Sequence, residues 1–144
     1  TNVGEPPKSL PKIASGGELS RMMLALKTIF SSSNGITSII FDEVDTGVSG
    51  RVAQAIAEKI SAISVQSQVL CISHLPQVAA MADQHYLIKK QVEHDRTFTT
   101  ISEIKLEDRV EEVSRMMSGA VITEATLKHA QELIQMADEK KLVM

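Results

Sequence analysis

The hydrophobic positions of the chain follow a helical period in some stretches and form short unbroken or alternating runs in others. Helical spacing predicts helices over about 17–31, 51–64, 77–83, 107–117 and 123–141. Short apolar runs predict buried strands over 36–41 and 68–73, and alternation predicts paired strands over 86–92 and 97–106. Because a helix separates the first two strands, we expect an α/β fold with mainly parallel central strands flanked by helices, followed by a β-hairpin and C-terminal helices.

Polar side chains follow both predicted parallel strands, where α/β sheets usually bind ligands. Asp42 and Glu43 end the first strand, and His74 ends the second. A pair of acids in this place suits phosphate-transfer chemistry, since one carboxylate can hold Mg²⁺ and the other can orient or deprotonate a water. Taken alone, the pair is more simply explained as the polar exit of a strand. A lone histidine is likewise most often structural, and Cys71-x-x-His74 lacks the second pair of ligands that a zinc site needs.

A second candidate site lies at the start of the first helix. Ser15 and Glu18 have the spacing of a capping box, and Gly16 and Gly17 allow the backbone to approach an anion closely. A helix N-terminus also presents free N–H groups and a partial positive charge, so a phosphate fits there. By itself, the same pattern describes an ordinary capped helix.

The composition narrows the classes of function. The 144 residues are 43% hydrophobic, which suits one compact domain, and no run is long enough to span a membrane. The 15 basic and 18 acidic residues are dispersed along the chain, so we expect no DNA-binding surface on this chain alone. Cys71 is the single cysteine and predicts a reducing compartment. We expect the Pro-rich residues 1–14 to form an extended lead-in and residues 15–144 to form one lobe. The Pro-rich start suggests that the chain was cut from a longer protein.

Four motifs occur in a fixed order, at residues 15–21, 39–43, 44–47 and 73–74. In that order they resemble the signature motif, Walker B strand, D-loop and switch histidine of ABC-type ATPases. Glu18 resembles the chromosome-maintenance (SMC-like) and DNA-repair branch of that superfamily. The longer strings at 12–27, 41–50, 72–79 and 109–119 are similar to the RecN family of bacterial DNA repair proteins, and this resemblance covers about residues 5–139.

The resemblance implies the C-terminal half of an ABC/SMC-type ATPase head, in a protein that binds ATP and Mg²⁺ and acts in recombinational repair of double-strand breaks. Asp42 would help to hold Mg²⁺, Glu43 would polarise the hydrolytic water, and His74 would contact the γ-phosphate. Four further residues would bind the nucleotide held by a second head: Ser15, Gly16, Gly17 and Glu18. Asp45 would line the interface between heads.

A P-loop is missing from this sequence, since none of its seven glycines is followed by Lys. The family carries the P-loop in an N-terminal segment, so we expect this chain to be catalytically silent alone and to expose a strand edge and an apolar face that the segment covers. The implied partners are that segment of the same protein, a second head in a homodimer, and DNA through the complete protein, without a membrane. The implied location is the nucleoid in the bacterial cytoplasm. Two alternatives remain open: the head of another SMC-type or transporter ATPase, and a non-catalytic dimerisation module.

Overall fold

The computed structural model describes residues 9, 14–30, 38–42, 44–94 and 96–143. The elements, in chain order, are α1 Gly16–Phe30, β1 Ser38–Asp42, α2 Gly50–Ser64, β2 Gln68–Ile72, α3 Pro76–Met81, β3 His85–Glu93, β4 Arg96–Ile104, α4 Leu106–Ser118 and α5 Glu124–Lys141. Every predicted helix and strand is present close to its predicted bounds. The lead-in predicted over 1–14 lies almost wholly outside the described residues. The chain divides into two compact units, an N-terminal unit that ends at Ser73 and a C-terminal unit that begins at His74.

The N-terminal unit is built on two parallel strands. Strands β1 and β2 pair in register from Ser38 opposite Gln68 to Asp42 opposite Ile72, as the intervening helix predicts. Helix α2 lies between them in sequence and contacts α1 and β2. Its inward face is a stripe of buried apolar residues at helical spacing: Ala53, Ile56, Ala57, Ile60 and Ile63.

One face of this sheet is exposed, so the prediction of two buried strands is wrong for that face, whereas the expectation of an exposed apolar face agrees with the structure. Ile39 and Phe41 are buried, whereas Ile40 is 68% exposed, and Leu70 and Ile72 on β2 are about half exposed. Alternate residues of a strand point to opposite faces, and no described element of this unit covers the second face. The apolar stripe of α1 is similarly open to solvent, and its large members are 37–67% exposed: Leu19, Met22, Met23, Leu26, Ile29 and Phe30.

The C-terminal unit combines a hairpin with a small helical core. Strands β3 and β4 pair antiparallel, from His85 opposite Ile104 to Glu93 opposite Arg96, and most of the hairpin surface is exposed. Helices α3, α4 and α5 contact one another. Their shared core buries Val113, Ala130, Ile134 and Ala137. No helix among the described residues is long and apolar enough to cross a membrane.

The ends of α4 and α5 follow from local chemistry. Gly119 ends α4 with a φ of 77°, in the left-handed region that glycine adopts readily. Thr123 then caps α5, since its hydroxyl accepts a hydrogen bond from the Thr126 N–H at 3.2 Å and its own N–H donates to the Thr126 hydroxyl at 2.9 Å. This reciprocal capping box satisfies N–H groups that the first turn of a helix leaves without partners.

Candidate nucleotide-interacting site

The predicted capping box is present at the start of α1. The Ser15 N–H donates to Glu18 Oε2 at 2.8 Å, and the Glu18 N–H donates to the Ser15 hydroxyl at 3.3 Å. The hydrogen bonds from the Ser15 backbone and side chain lower the pKa of Glu18, so this carboxylate stays ionised. Ser15 and Gly16 are exposed, and their end of the helix carries the partial positive charge that favours an anion.

The first turn of α1 lies directly against the turn at residues 44–47. A Cβ added to Gly17 would lie 3.0 Å from the Thr46 Cβ and 3.1 Å from the Thr46 carbonyl oxygen. One turn further along the helix, Arg21 Nη1 donates to the Thr46 carbonyl at 2.7 Å. A larger residue at position 17 would therefore require Thr46 to move by a few tenths of an ångström. The guanidinium of Arg21 ties the predicted signature helix to the predicted D-loop.

The carboxyl end of β1 also adjoins α1. The Ser20 hydroxyl donates to the Asp42 carbonyl oxygen at 3.3 Å, which brings the predicted metal residue beside the predicted signature helix. No cluster of three or more potential metal ligands occurs among the described residues. A single carboxylate still fits a nucleotide-bound Mg²⁺, because that ion keeps several waters and takes the remaining ligands from phosphates. Glu43, the predicted catalytic acid, lies outside the described residues.

Asp45 points into the N-terminal unit. The residue is 1% exposed, and its carboxylate accepts a hydrogen bond from the Ser73 hydroxyl at 2.5 Å, which joins the turn after β1 to the residue that follows β2. Burial, with the charges of Asp45 and Asp42, raises the pKa of the nearby Cys71 thiol to about 12, so this thiol stays protonated at neutral pH. The role of Asp45 at an interface between heads stays a prediction.

His74 begins the C-terminal unit and is exposed. It lies next to Leu75, the N-cap of α3, and Pro76 occupies the start of that helix. The predicted residues Ser15, Gly16, Gly17, Glu18, Asp42 and Asp45 thus belong to the N-terminal unit, and His74 belongs to the C-terminal unit.

Sequence reasoning gave no role to three residues that the structure singles out: Arg21, Ser73 and Arg109. Arg21 and Ser73 lie inside the four motifs and Arg109 begins the string at 109–119, but their partners are backbone carbonyls or a buried acid elsewhere in the chain. A pattern of residue types along the sequence does not report such partners. Arg109 has the same kind of partners, in the C-terminal unit.

Curated relatives match this chain over nearly its whole length. It is 61% identical over 141 residues to the DNA repair protein RecN of Bacillus subtilis and 64% identical over 141 residues to RecN of Halalkalibacterium halodurans. RecN of Treponema pallidum is 48% identical over 134 residues. The predicted RecN resemblance is confirmed.

The matched region is the C-terminal part of RecN. The alignments cover 93–98% of this chain but only 23–25% of the RecN relatives, so the chain spans about a quarter of their length. No protein-family model matches the chain.

A solved structure from work on the ATP-driven dimerization and DNA-stimulated activation of SMC ATPases shares the fold. It superposes with a TM-score of 0.54 at 19% identity, over 82% of this chain and 70% of the other. The predicted fold class, a mixed α/β arrangement like that of an SMC ATPase head, is confirmed.

Proposed function

We propose that this chain is part of the ATP-binding and ATP-hydrolysing head of a RecN-type protein that acts in recombinational repair of double-strand breaks. The observation that carries the proposal is the junction of α1 with the turn after β1. There the Arg21 and Gly17 contacts hold the exposed Ser15–Gly16 end of the helix beside the strand that ends in Asp42. The RecN similarity across this same stretch supports it.

The exposed start of α1 is proposed to contact the γ-phosphate of nucleotide held by a second head. Gly16 leaves open space, since a Cβ added there meets no atom within 4 Å, and the N–H groups of the first helical turn have no partners within the helix. The ionised Glu18 carboxylate holds the Ser15 backbone N–H in the capping box. That contact fixes the geometry of the turn that would receive the phosphate.

Three residues are proposed to act on the nucleotide itself. Asp42 would hold Mg²⁺, Glu43 would polarise the hydrolytic water, and His74 would contact the γ-phosphate. When bound with ATP, Mg²⁺ neutralises charge that develops on the transferred phosphoryl group.

The exposed apolar surface of the N-terminal unit is proposed to receive the P-loop segment of the same protein. A groove of about 310 Å³ runs between α1 and β1, and its lining includes Leu19, Met23 and Ile40. Surfaces of this kind on soluble proteins usually mark an interface. The P-loop segment supplies the phosphate cradle that this sequence lacks.

A second head and DNA are the remaining proposed partners. The SMC structure with the same fold comes from work on ATP-driven dimerization and DNA-stimulated activation, which supports a homodimer of heads and contact with DNA through the complete protein. A protein that works on chromosomal breaks would lie in the nucleoid.

The test is Glu43→Gln in the full-length protein. Loss of a catalytic base lowers hydrolysis by about 100-fold or more, while association of heads in the presence of ATP is retained. The control is Glu132→Gln, since Glu132 is an exposed acid on α5. A Glu43→Gln protein that hydrolyses ATP at the control rate would contradict the proposal and favour a dimerisation module without turnover.

A further inference from the structure

The short helix after His74 has little stability of its own. Helix α3 is six residues long and begins two positions after His74. Its N-cap, Leu75, makes no side-chain capping bond. Isolated helices of this length do not persist in water, because the cost of nucleation exceeds what a few backbone hydrogen bonds return. Tertiary contacts must therefore hold α3 in place.

One side chain donates hydrogen bonds to the backbone carbonyl groups at the C-terminal end of α3. Arg109 Nη2, which reaches across from α4, donates to the Ala82 carbonyl oxygen at 2.6 Å, to that of Ala80 at 2.8 Å and to that of Ala79 at 3.2 Å. The last carbonyls of a helix lack partners within the helix and carry a partial negative charge. A guanidinium can donate hydrogen bonds to these carbonyl oxygens, and its positive charge is attracted to their partial negative charge.

Hydrogen bonding at Nη2, rather than at Nε, fixes the orientation of this guanidinium. Arg109 Nε is buried and has no hydrogen-bond partner among the described residues. A buried donor without a partner is costly, so the side chain gives up one bond to make the bonds to α3. Val78, Ala79, Ala80 and Met81 are also buried, which leaves α3 little freedom to tilt once its end is held.

We infer that Arg109 is a positioning residue for His74, because it anchors to α4 the helix that begins two residues after His74. The inference rests on the proposed function, in which His74 contacts the γ-phosphate. It also gives a role to the string at 109–119, which the nucleotide site does not explain.

The first test compares two arginines of α4 in the full-length protein. Arg109→Met removes the anchor, whereas the control Arg115→Met removes a half-exposed arginine that pairs with Glu112 on the same helix. We expect Arg109→Met to lower kcat about tenfold or more, since small displacements of a group at the reaction centre are costly. KM should stay unchanged because the phosphate cradle lies in another segment. Arg109→Lys keeps the positive charge but has fewer hydrogen-bond donors, so its kcat should lie between those of the unmodified protein and Arg109→Met. This variant replaces Arg109→Met in the test if the Met variant folds poorly.

The second test asks whether Arg109 acts through His74. In a His74→Ala protein, Arg109→Met should cause little further loss of kcat. Amide exchange at Val78 and Ala79, whose N–H groups both donate to the Leu75 carbonyl at 3.1 Å, should accelerate in Arg109→Met and not in Arg115→Met.

Two results would overturn the inference. One is a kcat for Arg109→Met equal to that of Arg115→Met, and the other is an equal fold-loss with and without His74. Failure of the proposed function looks different, because the unmodified full-length protein would then hydrolyse no ATP while the amide-exchange result could still hold.

Discussion

The parallel sheet of the N-terminal unit and the helical core of the C-terminal unit differ in how completely they bury their apolar residues. In the C-terminal unit, α3, α4 and α5 enclose a core in which Val113, Ala130 and Ile134 are at most 4% exposed. In the N-terminal unit, one face of the sheet and the stripe of α1 remain open. Most of the predicted nucleotide-contacting residues thus lie in the unit whose sheet has an open apolar face, although the hairpin of the C-terminal unit also exposes apolar residues, among them Ile88 and Phe98. That difference is expected if another segment completes the fold and the site together.

The largest effect expected from this comparison comes from one pair of matched truncations. Ile134→Ala should lower the free energy of unfolding by about 3 kcal/mol, because it empties space in a closed core. Ile40→Ala makes the same chemical change on the open sheet face and should cost less than about 0.5 kcal/mol in this chain. Urea denaturation of both variants measures the difference. Equal losses would mean that the sheet face is covered and that the comparison is wrong.

The second effect concerns the contact between α1 and the turn at 44–47. Gly17→Ala should cost about 1–3 kcal/mol, since the new methyl group would press on the backbone of Thr46. Gly16→Ala is the matched control, because its Cβ would enter open space and should change stability by less than about 0.5 kcal/mol. Urea denaturation again measures the free energy of unfolding of both variants. If Gly17→Ala leaves that free energy unchanged, the turn is not held against the helix.

A smaller effect is expected at the buried carboxylate. Ser73→Ala removes the hydroxyl that donates to Asp45 and should cost about 1–2 kcal/mol, because a buried acceptor loses a partner. Ser38→Ala is the control, since the Ser38 hydroxyl donates to Gln68 on an exposed surface. If the two serine variants melt at the same temperature, the Asp45 contact does not stabilise the N-terminal unit.

The smallest effect is a pH dependence in the C-terminal unit. Burial, and then the charge of Arg109, lower the pKa of His85, so the folded state favours the neutral imidazole. In the unfolded chain His85 has its ordinary pKa of 6.5, so below that pH the unfolded chain binds more protons than the folded chain. The free energy of unfolding therefore falls as the pH drops from 6.5 toward the lower pKa of the folded state. His85→Gln should weaken this acid sensitivity, with exposed His129→Gln as the control. Unfolding free energies across a pH series are the measurement, and an unchanged profile in His85→Gln would count against this assignment.

The sequence predicted the order of elements, the parallel pairing and the capping box at Ser15 and Glu18, because periodicity and capping depend on neighbours along the chain. It did not predict which apolar faces are covered. An apolar residue such as Ile40 indicates that its face meets apolar atoms, but it does not say whether those atoms belong to this chain.

The sequence motifs named the candidate site residues but not their contacts, and the roles of those residues stay predictions. The sequence named Gly17 and Asp45 but did not predict that Gly17 packs on Thr46 or that Asp45 turns inward to Ser73. Arg21 and Arg109 donate to backbone carbonyls, which every residue carries, so no residue type in the sequence marks the partner. Long-range contacts of this kind depend on the tertiary fold.

The most direct test of the central claim is to add the P-loop segment to this chain and measure both binding and Mg²⁺-dependent ATP hydrolysis. We expect the two polypeptides to associate, hydrolysis to appear only in the mixture, and Glu43→Gln to abolish hydrolysis without releasing the partner. Ile40→Asp should prevent association, since it places a charge on the open sheet face. Hydrolysis by this chain alone, or a complex that forms as well with Ile40→Asp as without it, would contradict the account.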